Sequence, residues 1–288
     1  MSLELSKQAL TQFDNEVKHA YQGGGKLMGT TRRITGVTAD TYKFSQMGKG
    51  MATERTAPSS DVTPMDITHN RPTCVLTDWE APEYTDIYNK AEVNIDEVQE
   101  LAKTISKALE RRDDQMKINA LVSGTYNATP AEGEGMLIDT NVGGAGTGLN
   151  LAKLIAAQER FDDLEVEDTD RYFTISAQGK ADLLNDSQLT SADYTTLKAL
   201  TTGKVENLLG FNFIMIGSRG EGGLPKAGAV RDNFAWDKQA VGQAVGIDFK
   251  TRVDWIAHKS SWLSNGIFKA GACIIDNEGV IKIQTTEA

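Results

Sequence analysis

The chain has 288 residues, 40% hydrophobic and 24% charged, with a formal net charge of −10. That length exceeds one small core and suits one large or two modest domains. The acidic balance excludes non-specific attraction of the whole chain to nucleic acid, and no window approaches the roughly eighteen consecutive apolar residues of a membrane-spanning helix.

The start, Met1-Ser2-Leu3-Glu4, lacks the basic and apolar regions of a secretory signal. Two cysteines, Cys74 and Cys273, stand far apart. They make no disulfide framework and are expected as reduced thiols in a cytoplasm. Charge is uneven: residues 1–60 hold eight basic side chains against five acidic ones. A basic front and an acidic body serve solubility or attract each other between copies, and the sequence leaves both readings open.

Residues Leu3 to Tyr21 predict a helix, with Leu3, Leu10, Phe13, Val17 and Ala20 at helical spacing. Gly23-Gly24-Gly25 ends it. From Arg33 to Tyr88 the signals are β-type and loop-type: Ile34, Val37, Tyr42 and Phe44 lie in a Thr-rich run, and Gly48-Lys49-Gly50 reads as a turn or loop tip. Met65 to His69 alternates, and Cys74 to Thr77 does so more weakly. Pro58, Pro64, Pro72 and Pro82 argue against central strands and for a long hairpin or arm. A loop-rich stretch of this length is commonly functional or disordered.

A long helix is predicted from Asn94 to about Val122. Asn94 suits an N-cap, Glu97 the N3 position of a capping box, and Asp96 and Glu97 the positive end of the dipole. Val98, Leu101, Ile105, Leu109 and Met116 form an apolar stripe that breaks near Arg112. Lys103, Lys107 and Arg111 stack on one face, at a cost of a few tenths of a kcal/mol per pair in isolation. They form a solvated face or one that meets acidic groups on another subunit.

A loop-rich connection covers Gly124 to Gly148. Helices are predicted over Leu149–Phe161, Ala177–Leu184 and Tyr194–Leu200. Strands are predicted over Arg171–Ser176, Phe211–Ile216, Ala240–Val253, Phe268–Ile275 and Val280–Gln284, with a loop at Gly217–Gly228. The class is α+β.

Few residues suggest chemistry. Gly143-Gly144-Ala145-Gly146-Thr147-Gly148 follows an apolar stretch and precedes a helix, the context of a phosphate-binding loop. Its spacing fails: Leu149 stands where the third Gly of a dinucleotide fingerprint belongs, and no Gly-Lys-Ser/Thr follows. A flexible connector is expected. The acidic run Asp162 to Asp170 fails as a calcium loop, because positions six and twelve from Asp163 are Asp168 and Thr174. His19, His69 and His258 are isolated from any metal-pair spacing, and no nucleophile elbow is present. Trp236, Trp255 and Trp262 read as core or interface. No catalytic residue, metal or cofactor is expected.

The order of elements resembles that of the major capsid proteins of tailed bacteriophages, the Hong Kong 97-type fold: arm, long β-type loop, long helix, α/β unit, closing strands. Local stretches carry the resemblance further. Asp170-Arg171-Tyr172-Phe173-Thr174-Ile175-Ser176 and Ala181-Asp182-Leu183-Leu184-Asn185-Asp186 look like the strand and helix of the family's axial domain. Leu209-Gly210-Phe211-Asn212-Phe213-Ile214 looks like its next strand. Trp236 to Gly242 and Gly271 to Asp276 are similar to later family stretches.

The resemblance implies an N-terminal arm at 1–32, and an extended loop with the start of a peripheral domain at 33–93. It puts a spine helix and connection at 94–133, an axial domain at 134–237, and return strands of the peripheral domain at 238–288. It implies a structural subunit that assembles with itself as hexamers and pentamers into an icosahedral head. The partners implied are a portal protein, a separate scaffolding protein and, optionally, a decoration protein. The head would enclose double-stranded DNA with weak contact. Assembly would occur in the host cytoplasm, without membrane. Arg32, Arg33, Lys43, Lys49, Arg55, Lys103, Lys107 and Arg111 are the expected intersubunit contacts. Some relatives cross-link a loop Lys to a neighbour's Asn; here no pattern marks an acceptor, and cross-linking is not expected. The rivals are an encapsulin-type compartment shell and, more remotely, a nucleotide-binding enzyme using Gly143–Gly148.

Overall fold

The computed structural model describes residues 23–58, 61–62, 64–86, 97–185 and 207–287. The helices expected at 3–21 and 194–200, and the Asn94 cap, lie outside them.

The front contributes β1 (Arg32–Thr35), β2 (Thr41–Lys43), β3 (Gln46–Met47), β4 (His69–Asn70), β5 (Thr73–Val75) and β6 (Thr77–Asp86). The long helix α1 follows (Glu97–Val122), then β7 (Tyr126–Asn127), β8 (Gly135–Ile138), α2 (Leu151–Asp163), β9 (Arg171–Ile175) and α3 (Ala177–Asn185). The remainder is β10 (Asn207–Leu208), β11 (Phe211–Met215), β12 (Lys226–Ala227), β13 (Val230–Asp237), β14 (Val241–Ile256), β15 (Ser261–Ile274) and β16 (Val280–Thr286).

Two sheets organise these strands. One has four strands in the order β1-β14-β15-β6; the other runs β10-β11-β9-β13-β16-β8-β7, with β12 beside β13. Helix α1, with 26 residues and about 39 Å long, spans both. Its N-terminal half lays Ile105 and Leu109 on Val245, Phe268 and Ala270 of the first sheet. Its C-terminal half lays Ile118 and Leu121 beside Phe234, Trp236 and Val280 of the second. The far face of the second sheet is closed by α2 and α3, through Leu154, Phe161 and Leu183 against Phe173, Ile175, Phe211 and Ile283.

Side chains alternate across a strand, so the first sheet has two covers. On β15, Phe268 and Ala270 face α1. On the other face, Phe44, Cys74 and Leu76, all from the front of the chain, pack on Ala244 and Ile275, with Cys273 alongside. Those front residues belong to a hairpin in continuous register. Thr41↔Val75 and Tyr42↔Cys74 lead to Gln46↔Asn70 and Met47↔His69, and Gly48 N–H donates to Thr68 O at 2.8 Å.

Several expectations are corrected. The alternation from Met65 to His69 does not form one strand; only His69 and Asn70 pair, with Met47 and Gln46. The connection after α1 contains β7 and β8, which pair in parallel. Strand β16 packs Val280 beside α1 but does not pair with β14 or β15. It inserts between β13 and β8 of the other sheet, pairing Ile281 with Ala235 and with Met136. Strand β13 is hidden in the sequence because Arg231, Asp232 and Asn233 break its apolar pattern. Their partners come from the C-terminal strand and the residue after it: Arg231 meets Glu287, Asp232 meets Lys282, and Asn233 Nδ2 donates to Thr285. Pro82 sits on β6, an edge strand, where a missing N–H costs no ladder bond.

Candidate assembly surface

The break in the α1 stripe is a polar cluster buried in the helix: Asp113, Asp114 and Lys117. Buried charges require partners, and the partners come from three other segments. Asp114 accepts the backbone N–H groups of Lys26 and Leu27 at 2.8 and 2.9 Å. Arg219, from the Gly-rich 217–223 loop, donates to the same carboxylate at 2.6 Å and to Gly24 O at 2.9 Å. Lys117 donates to Asp113 at 2.7 Å and to Leu27 O at 3.0 Å, and Gln243 donates to Asp113 from β14. Trp236 Nε1 donates to Thr30 O at 2.9 Å. The segment 23–31 is thereby tied along the helix before the chain enters the hairpin.

Beyond its packed base the hairpin arm is open. Met47, Met51, Val62 and Met65 are between 51% and 92% exposed. An exposed apolar surface rich in unbranched, adaptable Met suits protein contact.

The expected basic contacts are scattered around this arm and α1. Lys43 and Arg55 are exposed on the arm, and Lys107 is half-buried on α1. The Arg32 guanidinium lies 5.9 Å from the Phe44 ring centre. Four have partners in their own chain. Arg33 pairs with Asp248 at 2.8 Å, Lys49 with Glu278 at 2.9 Å, and Lys103 with Glu100 at 2.8 Å; Arg111 donates to Gly23 O at 3.3 Å. The hydrogen bond to Glu278 raises the Lys49 pKa. Burial acts to raise that of Glu278, but the bonds from Lys49 and the Gly133 N–H leave it lowered.

The Gly-rich loop is held by hydrogen bonds at both ends and does not favour a phosphate. Asn150 caps α2 by accepting from Lys153 N at 3.0 Å, and Thr147 Oγ1 donates to Thr140 O at 3.0 Å. The loop turns carbonyls inward: Lys153 Nζ, buried, donates to Thr147 O and Gly148 O at 2.9 Å and to Gln284 O at 3.0 Å. A site that converges on an ammonium is the reverse of one for phosphate. The acidic turn is likewise built around a cation. Arg171 meets Asp162 at 2.8 Å and Asp168 at 2.9 Å, and donates to Glu167 O at 3.0 Å. His69 and His258 are exposed, and among the described residues no cluster of three His, Cys, Asp or Glu side chains could hold a metal.

Fold and surface together define a structural subunit that presents an arm. The chain belongs to the phage capsid protein family, described as "Phage capsid protein", whose profile matches residues 5–287. Solved capsids share the fold. That of the cyanophage P-SCSP1u superposes with a TM-score of 0.76 at 16% identity, covering 99% of this chain and 95% of that one. The head of Helicobacter pylori bacteriophage KHP40 gives 0.76 at 10% identity, covering 100% and 98%. The capsid of a native GTA particle gives 0.73 at 16%, covering 99% and 97%. No curated protein matches the chain. It is a major capsid protein, a structural component of a phage head that assembles with copies of itself into a shell, and its fold is of the Hong Kong 97 type.

Proposed function

We propose that the subunit assembles as hexamers and pentamers around double-stranded DNA, and that the hairpin arm is the principal contact between neighbours. The observation that carries this is the arm's division into a base packed on its own sheet and an open part that exposes Met47, Met51, Val62 and Met65. In the layout we infer, residues 33–93 supply the arm and the start of a peripheral domain, and 94–133 the spine. Residues 134–237 form the unit that clusters at the symmetry axes. Lys43, Arg55 and Lys107 meet acidic groups of adjacent copies. Arg32, Arg33, Lys49, Lys103 and Arg111 share that surface while also fixing their own chain.

The interior would contact DNA weakly, since the chain's net charge of −10 does not favour a polyanion. Assembly takes place in the host cytoplasm with a portal protein and a separate scaffolding protein, with room for a decoration protein, and needs neither cofactor nor catalysis.

Negative-stain electron microscopy of the expressed protein tests the reading. Closed shells are expected. Reversal of Lys43 and Arg55 to Glu should reduce their yield while the subunit's circular dichroism and melting stay unchanged. Normal shells from that variant would remove the basic arm residues from the interface, and soluble monomers from the parent chain under all conditions would overturn the assembly itself.

A further inference from the structure

Cys74 and Cys273 stand 199 positions apart in the chain, yet the fold sets them against each other. Cys74 lies on β5, fully buried at the base of the arm, and Cys273 lies on β15 in the same apolar cluster. Gly271 and Cys273 are two residues apart, so both point to the arm side of the sheet. A glycine is required at 271, because a Cβ there would strike the Val75 carbonyl and lie 3.0 Å from Cys74 Sγ. The absent side chain lets β5 settle directly on β15, and Cα atoms of the two strands come within 8 Å. The neighbouring Cys74 sulfur and burial together raise the pKa of Cys273. Cys273 also lines an open cleft of about 380 Å³ between Thr73 of the arm, Ser123 and Thr125 after α1, and Asn277. Cys273 is partly exposed and Cys74 is buried.

We propose that Cys74 and Cys273 are an oxidisable dithiol whose disulfide clamps the base of the arm to β15. The oxidant is a small-molecule disulfide. The Cys273 thiolate attacks it, forming a mixed disulfide and releasing one thiolate. The Cys74 thiolate then attacks the Cys273 sulfur, closing the protein S–S bond and releasing the second. Two protein S–H bonds are lost, one S–S bond forms, and the two electrons leave as two reduced small thiols. The chemistry belongs to the subunit alone; its timing rests on the capsid reading. Thiols kept reduced in a host cytoplasm would leave the arm base free to adjust during assembly, and loss of that reductant outside the cell would fix it.

The experiment treats unassembled subunit and shells, separately, with oxidised glutathione. The expected result is a mass loss of two hydrogens, a non-reduced peptide map that joins Cys74 to Cys273, and reversal by dithiothreitol. Amide exchange in β2 and β5 should slow by about tenfold on oxidation. Cys273→Ser, at the partly exposed position, should fold normally and show no oxidant-dependent change in exchange. A stable glutathione adduct on Cys273 with Cys74 still a thiol, an unchanged mass, or a bond between copies would overturn the proposal. If the link forms in the subunit and no shells are seen, the proposed timing fails and the dithiol stands.

Discussion

Asp114 and Arg219 meet at 2.6 Å with the Asp114 side chain completely buried. This pair joins the middle of the long helix to a loop more than a hundred residues away and leaves the second carboxylate oxygen for the Leu27 N–H. Removing one partner of such a pair leaves a buried charge uncompensated, which costs about 3–5 kcal/mol. Asp114→Asn should therefore lower subunit stability by about that amount in urea unfolding. Arg219→Met combined with it should cost less than the sum of the two single changes, because the orphaned charge disappears. Additive losses would show that the two residues act independently.

The Lys49–Glu278 contact predicts acid sensitivity of the arm. Glu278 has a lowered pKa in the folded state, so its contribution is complete above the ordinary carboxyl value of 4.5 and is lost as pH falls through the folded value. Limited proteolysis between residues 49 and 67 should accelerate as pH is taken from 6 to about 3.5. In Lys49→Met, cleavage should start higher and depend less on pH. Equal acid dependence in parent and variant would detach the effect from this pair.

Much of this architecture is legible in the sequence, for identifiable reasons. Helix α1 is visible because Ile105 and Leu109 sit on a long periodic stripe; β9 and β11 are visible as apolar runs. The interruption of the stripe is visible too, but not its meaning. Asp113, Asp114 and Lys117 look like surface charges until Lys26, Leu27 and Arg219, distant in sequence, are brought to them. The same lack of partners hides β13, whose polar residues are matched only when β16 lies beside it. The nearness of Cys74 to β15 depends on the close approach over Gly271, a tertiary fact that spacing does not encode. The basic residues of the front were legible as a group, but not their division between partners in the same chain and open surface.

Lys153 carries a second pH prediction, of the same sign but in the alkaline range. Burial pushes its pKa down to about 8 from 10.5, so the unfolded chain binds more protons than the folded one between those values. Stability contributed at this site should then rise with pH across that interval. At pH 7 the ammonium is present and satisfies three carbonyls. Lys153→Met should cost about 1–3 kcal/mol there, since those carbonyls lose a donor in a buried place. It should also abolish the rise between pH 8 and 10.5 in thermal unfolding of the unassembled subunit. A variant that melts at the parent temperature throughout would make the lysine dispensable to the loop.

Gly271 tests how tightly the arm base is seated. A methyl group there collides with the Val75 carbonyl, and backbone cannot yield as a flexible side-chain end can. Overpacking of this kind costs about 1–3 kcal/mol. Gly271→Ala should lower the melting temperature and raise exchange in β2 and β5, with α2 and β9 unaffected because they lie in the other sheet's core. Gly217→Ala, at a position with no atom within 4 Å of the added methyl, supplies the control and should leave both measurements unchanged. If Gly271→Ala destabilises α2 as much as the arm, the two sheets unfold as one unit and the base of the arm is not separable from the body.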